Sequence, residues 1–298
     1  MRILLTGSTG FVGATLQAAL ARAGHPVRGG VSPRHPAPGP DQVPMDFARD
    51  TTPAAWLPRL DGIDAVVNAV GVLRDSRARP IEAVHQNTPM ALFDACAQAG
   101  VRRVVQVSAL GIEGSPTRYA ATKRGAEAHL QALAAQGLLD PAILRPSVVF
   151  GRGGDSSALF MALARLPLAL FPGPVLDARV QPVSVHDLAD AVVALLGPAQ
   201  ATTGLIECTG PEALTMGDFI ASLRAQLGHS PATVLRLPQP LTQLSARIGD
   251  LLPAAVPWCS ETLAMLGSDN VGDPTAFERL LGRPGVPYRD LVRTAWNR

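Results

Sequence analysis

The sequence predicts an α/β chain in which a doubly wound parallel sheet is followed by a small C-terminal lobe. Three observations carry this. Short apolar runs alternate with helical patterns through the first two thirds of the chain, the signature of successive βαβ units. Several of those runs are near-continuous in Val, Ile and Leu, as strands buried on both faces require. The first run ends in a glycine-rich turn that opens directly into a helical stretch.

In order, Ile3–Thr6 reads as the first strand and Val12–Ala23 as the first helix. Further strands are expected at Val27–Val31, Gln42–Met45, Ala65–Ala69, Arg103–Ser108 and Ala142–Leu144, with helices at Ile81–Ala99 and Tyr119–Gln136. The three helices stop beside Gly24, Gly100 and Gly137, the residue that most readily adopts the left-handed helix-ending conformation. The proline-rich stretch from Pro33 is a loop. Beyond Gly151 the pattern loosens into a strand at Val180–Val185, a helix at His186–Leu196, a strand at Gly204–Cys208 and a helix at Met216–Leu227. From Pro238 the tail is proline-punctuated and helical in pattern. The expected division is a dinucleotide-binding core over 1–150 and a C-terminal lobe over 151–298, interleaved with the last core elements.

Composition narrows the function classes. A chain of 298 residues, 47% of them hydrophobic, can bury a large core. Its 26 basic and 24 acidic residues are spread along the chain, and 4% aromatics leave little to stack bases on, which argues against nucleic acid. Cys96, Cys208 and Cys259 lie far apart, without metal-ligand spacing, and read as buried reduced thiols. The opening Met-Arg-Ile-Leu-Leu-Thr-Gly is too short in apolar residues for a signal peptide, so a cytoplasmic protein is expected. The most apolar stretch, Ala158–Phe171, is broken by Arg165 and Pro167 and is too short to span a bilayer. It is expected to be a buried helix rather than one lying on a membrane.

The glycine turn runs Thr6-Gly7-Ser8-Thr9-Gly10-Phe11-Val12-Gly13. Gly7 permits a tight turn, Gly10 lets backbone approach a pyrophosphate, and Gly13 lets the helix pack closely on the strand. The N-terminus of the helix then offers N–H groups and a positive dipole end to phosphates. A nicotinamide dinucleotide on a Rossmann sheet is the expected ligand, with Gly7, Thr9, Gly10, Phe11, Val12 and Gly13 around it. NAD sites place an acid about twenty positions on, whereas NADP sites place an arginine there. Here Val31-Ser32-Pro33-Arg34 holds no acid, and Arg28, Ser32 and Arg34 are available to a 2′-phosphate. NADP is therefore expected over NAD, with Arg34 as a solvated loop residue the other reading. Ala69, Val70 and Gly71, small residues at the end of the fourth strand, allow a ribose to pass close to backbone.

Tyr119 and Lys123 stand four residues apart on a helix and share one face. A nearby ammonium would draw the phenol below its usual value near 10, and the lysine could also hold the nicotinamide ribose. Lys123 is the sole lysine in a chain with 25 arginines. A guanidinium is a planar fork and could not replace a compact ammonium beneath a ribose.

The GxxGxxG spacing and the Tyr-x-x-x-Lys pair resemble those of the extended and atypical short-chain dehydrogenase/reductases. Val66–Asp75, Glu82–Asn87, Val107–Gly111, Ile143–Gly151, Gln181–Val192 and Met265–Val271 are together similar to the atypical reductases related to the nucleotide-binding accessory subunit of respiratory complex I. This resemblance implies adenine contacts from Asp46 and Phe47, although Asp46 also reads as a turn aspartate. It implies that Pro146 and Val149 neighbour the nicotinamide. It implies a strand-end hydroxyl, for which Ser108 either polarises a substrate carbonyl or caps the strand. Two residues on, where extended members carry the active hydroxyl, stands Leu110. His85 and His186 are candidates for pocket or packing roles.

Three functions remain open at this point. One is NADPH-dependent reduction of a small carbonyl or quinone-like substrate, with Tyr119 as proton donor. Another is a non-catalytic dinucleotide-binding or redox-sensing protein, peripherally associated with a respiratory assembly. The third is a nucleotide-sugar epimerase or dehydratase.

Overall fold

A computed structural model describes residues 1–33, 35, 39–197, 202–251 and 258–297. The α/β class is as expected. The chain begins β1 (Ile3–Thr6), α1 (Phe11–Arg22), β2 (Val27–Val31), β3 (Gln42–Pro44), α2 (Pro53–Trp56), β4 (Ala65–Asn68), α3 (Thr88–Ala99), β5 (Arg103–Val107), α4 (Arg118–Ala135) and β6 (Asp140–Pro146). It continues through β7 (Val149–Phe150), α5 (Asp155–Arg165), β8 (Leu168–Pro172), α6 (Gly173–Asp177), β9 (Arg179–Val180), β10 (Val183–Ser184), α7 (Val185–Leu195) and β11 (Gly204–Cys208). The tail holds β12 (Leu214–Thr215), α8 (Met216–Gln226), β13 (Thr233–Leu237), α9 (Gln239–Asp250), α10 (Ser260–Leu266) and α11 (Thr275–Leu281).

These elements form two compact units. One comprises Met1–Arg145 with Ala189–Ile206, the other Pro146–Leu188 with Glu207–Arg298. The first boundary falls within the end of β6 rather than at 150, and the later segment 189–206 returns to the first unit.

The first unit is built on a seven-stranded sheet of order β11-β6-β5-β4-β1-β2-β3. Its pairings from β3 through β6 are parallel. β1 pairs on one side with β2 and on the other with β4, so the winding reverses there. In open α/β sheets that reversal, at the carboxyl ends of the strands, is where ligands bind. Every residue of β1 and β4 is buried, which explains why their sequences do not alternate. Leu4, Trp56, Val66, Leu92, Phe93, Leu130 and Ile143 form one apolar cluster. Gly100 ends α3 at φ +73°, as its position in the sequence suggests.

The second unit has its own core, in which Phe219 meets Phe150 and Phe160 edge-on at ring separations of 5.9 and 5.7 Å. Here two expectations are corrected. Ala158–Phe171 is not one buried helix: α5 ends at Arg165, and Leu168–Pro172 is a strand. Pro167 disfavours helix for the residue before it, and the following residues alternate, with Ala169 and Phe171 inward and Leu168 and Leu170 in solvent. The expected strand Val180–Val185 is instead two short ones, β9 and β10, separated by Gln181 and Pro182. Proline has no N–H to give to a ladder. Among the described residues no helix is long and apolar enough to cross a membrane.

Candidate active site

The turn after β1 has the geometry its glycines imply. Gly7 sits at φ +72° beside Ala69 and Val70, where a side chain has no room. A Cβ on Gly13 would lie 1.9 Å from the Gly7 carbonyl oxygen, so α1 rests directly on the turn. A Cβ on Gly10 would meet only that same oxygen, at 3.3 Å, and otherwise point into open space. Gly10 is also the N-cap of α1 and lends no side chain to it, so the first-turn N–H groups beside Phe11 and Val12 have no side-chain cap. Thr9 and Gly10 are exposed. An uncapped helix start above a side-chain-free cradle suits a diphosphate. The residues present therefore fit a dinucleotide.

Sequence reasoning missed what holds this turn. Ser8 donates from both its N–H and its hydroxyl to the Gly30 carbonyl, at 3.2 and 3.0 Å. A side chain on Gly29 would strike the Ser8 hydroxyl, and one on Gly30 would strike Met45. The glycine pair of β2 is the signal that could have shown it.

The other residues expected around the dinucleotide divide. Ser32 is exposed at the end of β2, and Arg28, half-buried, donates to the Arg59 carbonyl at 3.4 Å. Arg34 lies outside the described residues. Asp46 accepts the Ala48 N–H at 3.0 Å, the turn role that its sequence position also allowed. Phe47 is mostly buried, with its ring edge-on to Trp56 at 5.6 Å. Pro146 and Val149 belong to the second unit, where Pro146 ends β6 and Val149 pairs with Val183.

A buried chain of polar side chains crosses the strand ends of the first unit. Thr6 donates to Asn68 at 2.5 Å, Asn68 to Gln106 at 2.8 Å, and Gln106 to the Val107 carbonyl at 3.1 Å. The parallel register places Thr6, Asn68 and Gln106 side by side. The ammonium of Lys123 donates to the same Val107 carbonyl at 3.3 Å. The glycine turn and the lysine, far apart in sequence, are thus tied by one satisfied network.

Thr117 caps α4 by accepting the Ala120 N–H at 3.2 Å, which puts Tyr119 and Lys123 in the first turns. The Lys123 nitrogen lies 6.0 Å from the centre of the Tyr119 ring. Burial lowers the lysine to about 8 against the pull of Glu127, which favours the charge. The expected lowering of the phenol is not seen: loss of water about Tyr119 pushes it up to about 12. Desolvation outweighs a lysine that is itself weakened by burial. Glu127 accepts both contacts of the Arg145 Nε at 3.1 Å, and Arg145 also reaches Glu113 at 2.5 Å.

His85 packs edge-on against Tyr119, with ring centres 5.1 Å apart. It lies on a π-helical turn, Ala83–Asn87, that leads into α3. Its Nε2 accepts the Val72 N–H at 2.9 Å, so the ring proton is on Nδ1, 3.3 Å from the Thr122 hydroxyl. Burial first, and Lys123 second, lower this imidazole to about 2. It is therefore a neutral wall for the tyrosine ring. A side chain on Gly71 would approach the Lys123 nitrogen and His85 Nε2 at 3.6 and 3.7 Å, so its absence leaves open the space beside both groups.

The Ser108 hydroxyl is buried and has no hydrogen-bond partner among the described residues. Its N–H ties β5 to the Leu144 carbonyl at 2.7 Å, but the hydroxyl caps nothing. A buried donor left unpaired calls for an explanation, and a ligand oxygen supplies one. Leu110 is buried and apolar.

The sequence matches the model of the NAD dependent epimerase/dehydratase family over residues 3–204. It is 29% identical to the ceramide reductase of Caulobacter vibrioides over 245 residues, covering 80% of this chain and 74% of that protein. It is 25% identical to the UDP-glucose 4-epimerase of Vibrio cholerae over 249 residues, 76% and 75% of the two chains. Among solved structures, MoeE5 in complex with UDP-glucuronic acid and NAD superposes with a TM-score of 0.73 at 19% identity, covering 99% of this chain and 97% of that one. The UDP-glucuronic acid 4-epimerase of Bacillus cereus gives 0.71 at 19% identity, covering 99% and 98%.

Proposed function

This chain belongs to the NAD dependent epimerase/dehydratase family, the extended short-chain dehydrogenase/reductases, and is an NAD(P)-dependent enzyme; on that premise we propose that it reduces a small carbonyl or quinone-like substrate with NADPH. The observation that carries the reading is geometric: Tyr119 and Lys123 stand in the first turns of α4 with the ammonium 6.0 Å from the ring centre, near the unpartnered Ser108 hydroxyl at the end of β5. Burial pushes the phenol up to about 12, so at neutral pH it carries the proton that a reduction needs. When bound, the nicotinamide supplies the hydride that reaches the carbonyl carbon. Tyr119 gives the carbonyl oxygen its proton, so that carbonyl, hydride and proton balance as an alcohol. Lys123 provides a buried positive charge that favours negative charge growing on that oxygen and on the phenol. Ser108 offers its unpartnered hydroxyl to the same oxygen, and His85 holds the tyrosine ring in place.

The preference for NADPH rests on the end of β2, which carries no acid, and on Arg28, Ser32 and Arg34, close to it in the sequence. The ceramide reductase relative supports reduction, and the UDP-glucose 4-epimerase relative keeps epimerisation as the competing outcome. Leu110, apolar where extended members carry a hydroxyl, weighs against the epimerase, and it also takes from the reductase reading the usual second donor, which leaves that part to Ser108.

The test is oxidation of NADPH, and of NADH in parallel, against a panel of aldehydes, ketones and quinones. Tyr119→Phe should lower kcat about a thousandfold while NADPH binding is kept. Unchanged turnover in Tyr119→Phe, or a protein that retains NADPH and oxidises it with no acceptor, overturns the reductase reading. The pH profile gives a second check. Lys123 is charged below about 8, so kcat/KM for reduction should be level at neutral pH and fall above about 8. An alkaline limb near 10, where ordinary lysines and phenols titrate, would contradict this assignment.

A further inference from the structure

The second unit carries an apolar surface that its own core does not use. On α9 the small residues Thr242, Ala246 and Gly249 are buried, and a Cβ on Gly249 would strike the Trp258 backbone at 2.1 Å. The opposite side presents Leu241, Leu244 and Ile248, each about half exposed, and just past the helix Leu251 is 87% exposed. Spaced three, four and three apart, these four form a single stripe about a quarter-turn wide. The usual arrangement, with large aliphatic residues inward, is inverted. The β8–β13 ribbon, which runs directly into α9, adds Leu168, Leu170 and Leu235 to the exposed set. Leu170 and Leu235 pair side by side in parallel register, so they share a face.

Charge and residue type indicate what covers this surface. No Asp or Glu occurs between Ser156 and Leu176 or between Phe219 and Gly249, the two segments that supply every exposed aliphatic residue of this set except Leu251, which follows Asp250. The acids that bound them are engaged: Asp177 with Arg236 at 2.7 Å, and Asp250 with the Ser260 N–H and hydroxyl at 2.8 and 2.6 Å. Arg165 and Arg247 are exposed and have no carboxylate partner among the described residues. The exposed set is wholly aliphatic. Protein interfaces concentrate their binding energy in Trp, Tyr and Arg and are poor in Leu and Val hot spots. Aliphatic burial flanked by arginine, with the one acid of the stripe, Asp250, held by Ser260, is the chemistry of an anionic lipid surface.

We propose that α9 and the β8–β13 ribbon dock this enzyme on the surface of an anionic bilayer, with Leu241, Leu244, Ile248 and Leu251 entering the lipid and Arg165 and Arg247 meeting the headgroups. The helix lies along the interface and does not cross it.

Flotation with vesicles of phosphatidylcholine, with and without phosphatidylglycerol, tests this without reference to catalysis. The full chain should float with the anionic vesicles and be released by salt. Leu244→Glu with Ile248→Glu should reduce the bound fraction at least tenfold, while an unchanged far-UV circular dichroism spectrum and thermal unfolding midpoint report that the fold is intact. Leu168→Glu with Leu170→Glu should reduce it less. Arg247→Gln should weaken binding about fivefold to anionic vesicles alone. Failure to float with any vesicle overturns the proposal. So does a dimer in analytical ultracentrifugation that Leu244→Glu converts to monomer, because that assigns the face to a second copy.

Discussion

Lys123→Met is expected to cut turnover about a thousandfold and, at the same time, to make the protein more stable. Turnover falls because the only compact cation beside Tyr119 is removed, a loss of about a thousandfold in kcat/KM by the usual worth of positioned acid–base and electrostatic groups. Stability rises because the folded chain holds a charge in a place poor in water. The drop from 10.5 to about 8 corresponds to about 3 kcal/mol disfavouring the protonated form. Methionine fills a similar volume without that penalty, although the hydrogen bond to the Val107 carbonyl is lost. A net gain of about 2 kcal/mol is expected, or about 4 °C in Tm. The sign with pH is fixed. The folded state binds protons less readily than the unfolded one, so the penalty is complete below about pH 8 and is relieved as pH rises from about 8 toward 10.5. The advantage of Lys123→Met should therefore be largest at neutral pH and shrink in that window. Lys123→Arg should rescue neither property, since a guanidinium keeps its charge and is larger. If Lys123→Met unfolds at a lower temperature than the parent at pH 7, the lysine is a structural group and the assigned role fails.

The same lysine shows what could be read from the sequence and what could not. That it was the sole lysine, four residues from a tyrosine at the start of a helix, was plain in the order of residues, as was the glycine turn at the end of the first strand. These are local patterns set by backbone geometry. The core strands were legible for the same reason, because burial on both faces leaves unbroken apolar runs such as Ile3–Leu5 and Ala65–Val67. Features that depend on register were not legible. The link Thr6–Asn68–Gln106 exists because β1, β4 and β5 lie in step, and sequence separation gives no hint of that. His85 against Tyr119 is a contact between two elements whose mutual placement only folding decides. The spacing of Tyr119 and Lys123 shows the neighbouring charge but not the loss of water, which turns the phenol's shift upward. An apolar run such as Ala158–Phe171 implies burial, whereas half of the strand in it faces outward.

Gly13→Ala is expected to disturb the fold and ligand binding together, and its comparison with Gly10→Ala separates the two jobs of the turn. The added methyl at Gly13 would sit 1.9 Å from the Gly7 oxygen, 2.7 Å from its carbonyl carbon and 3.1 Å from the Ser8 Cα. All three atoms are backbone, so no flexible side chain can move aside. Either α1 lifts from β1 or the turn shifts, and the turn is anchored to Gly30 by Ser8. A loss of about 2–3 kcal/mol is expected, the scale of overpacking in a close-fitting core. Because the helix start moves with it, NADPH affinity should fall about a hundredfold. At Gly10 the methyl meets only one atom, at 3.3 Å, and the backbone at φ −79° is open to any residue. Stability there should change by less than about 1 kcal/mol. The methyl nevertheless projects into the open space beside the uncapped N–H groups of α1, where the proposed diphosphate must come close to backbone. Affinity should fall about tenfold with the fold intact. Urea unfolding and fluorescence titration with NADPH read the two quantities separately. Gly10→Ala binding NADPH as tightly as the parent would mean that the dinucleotide does not approach over this turn. Gly13→Ala with unchanged stability would mean that α1 does not bear on Gly7 as the structure places it.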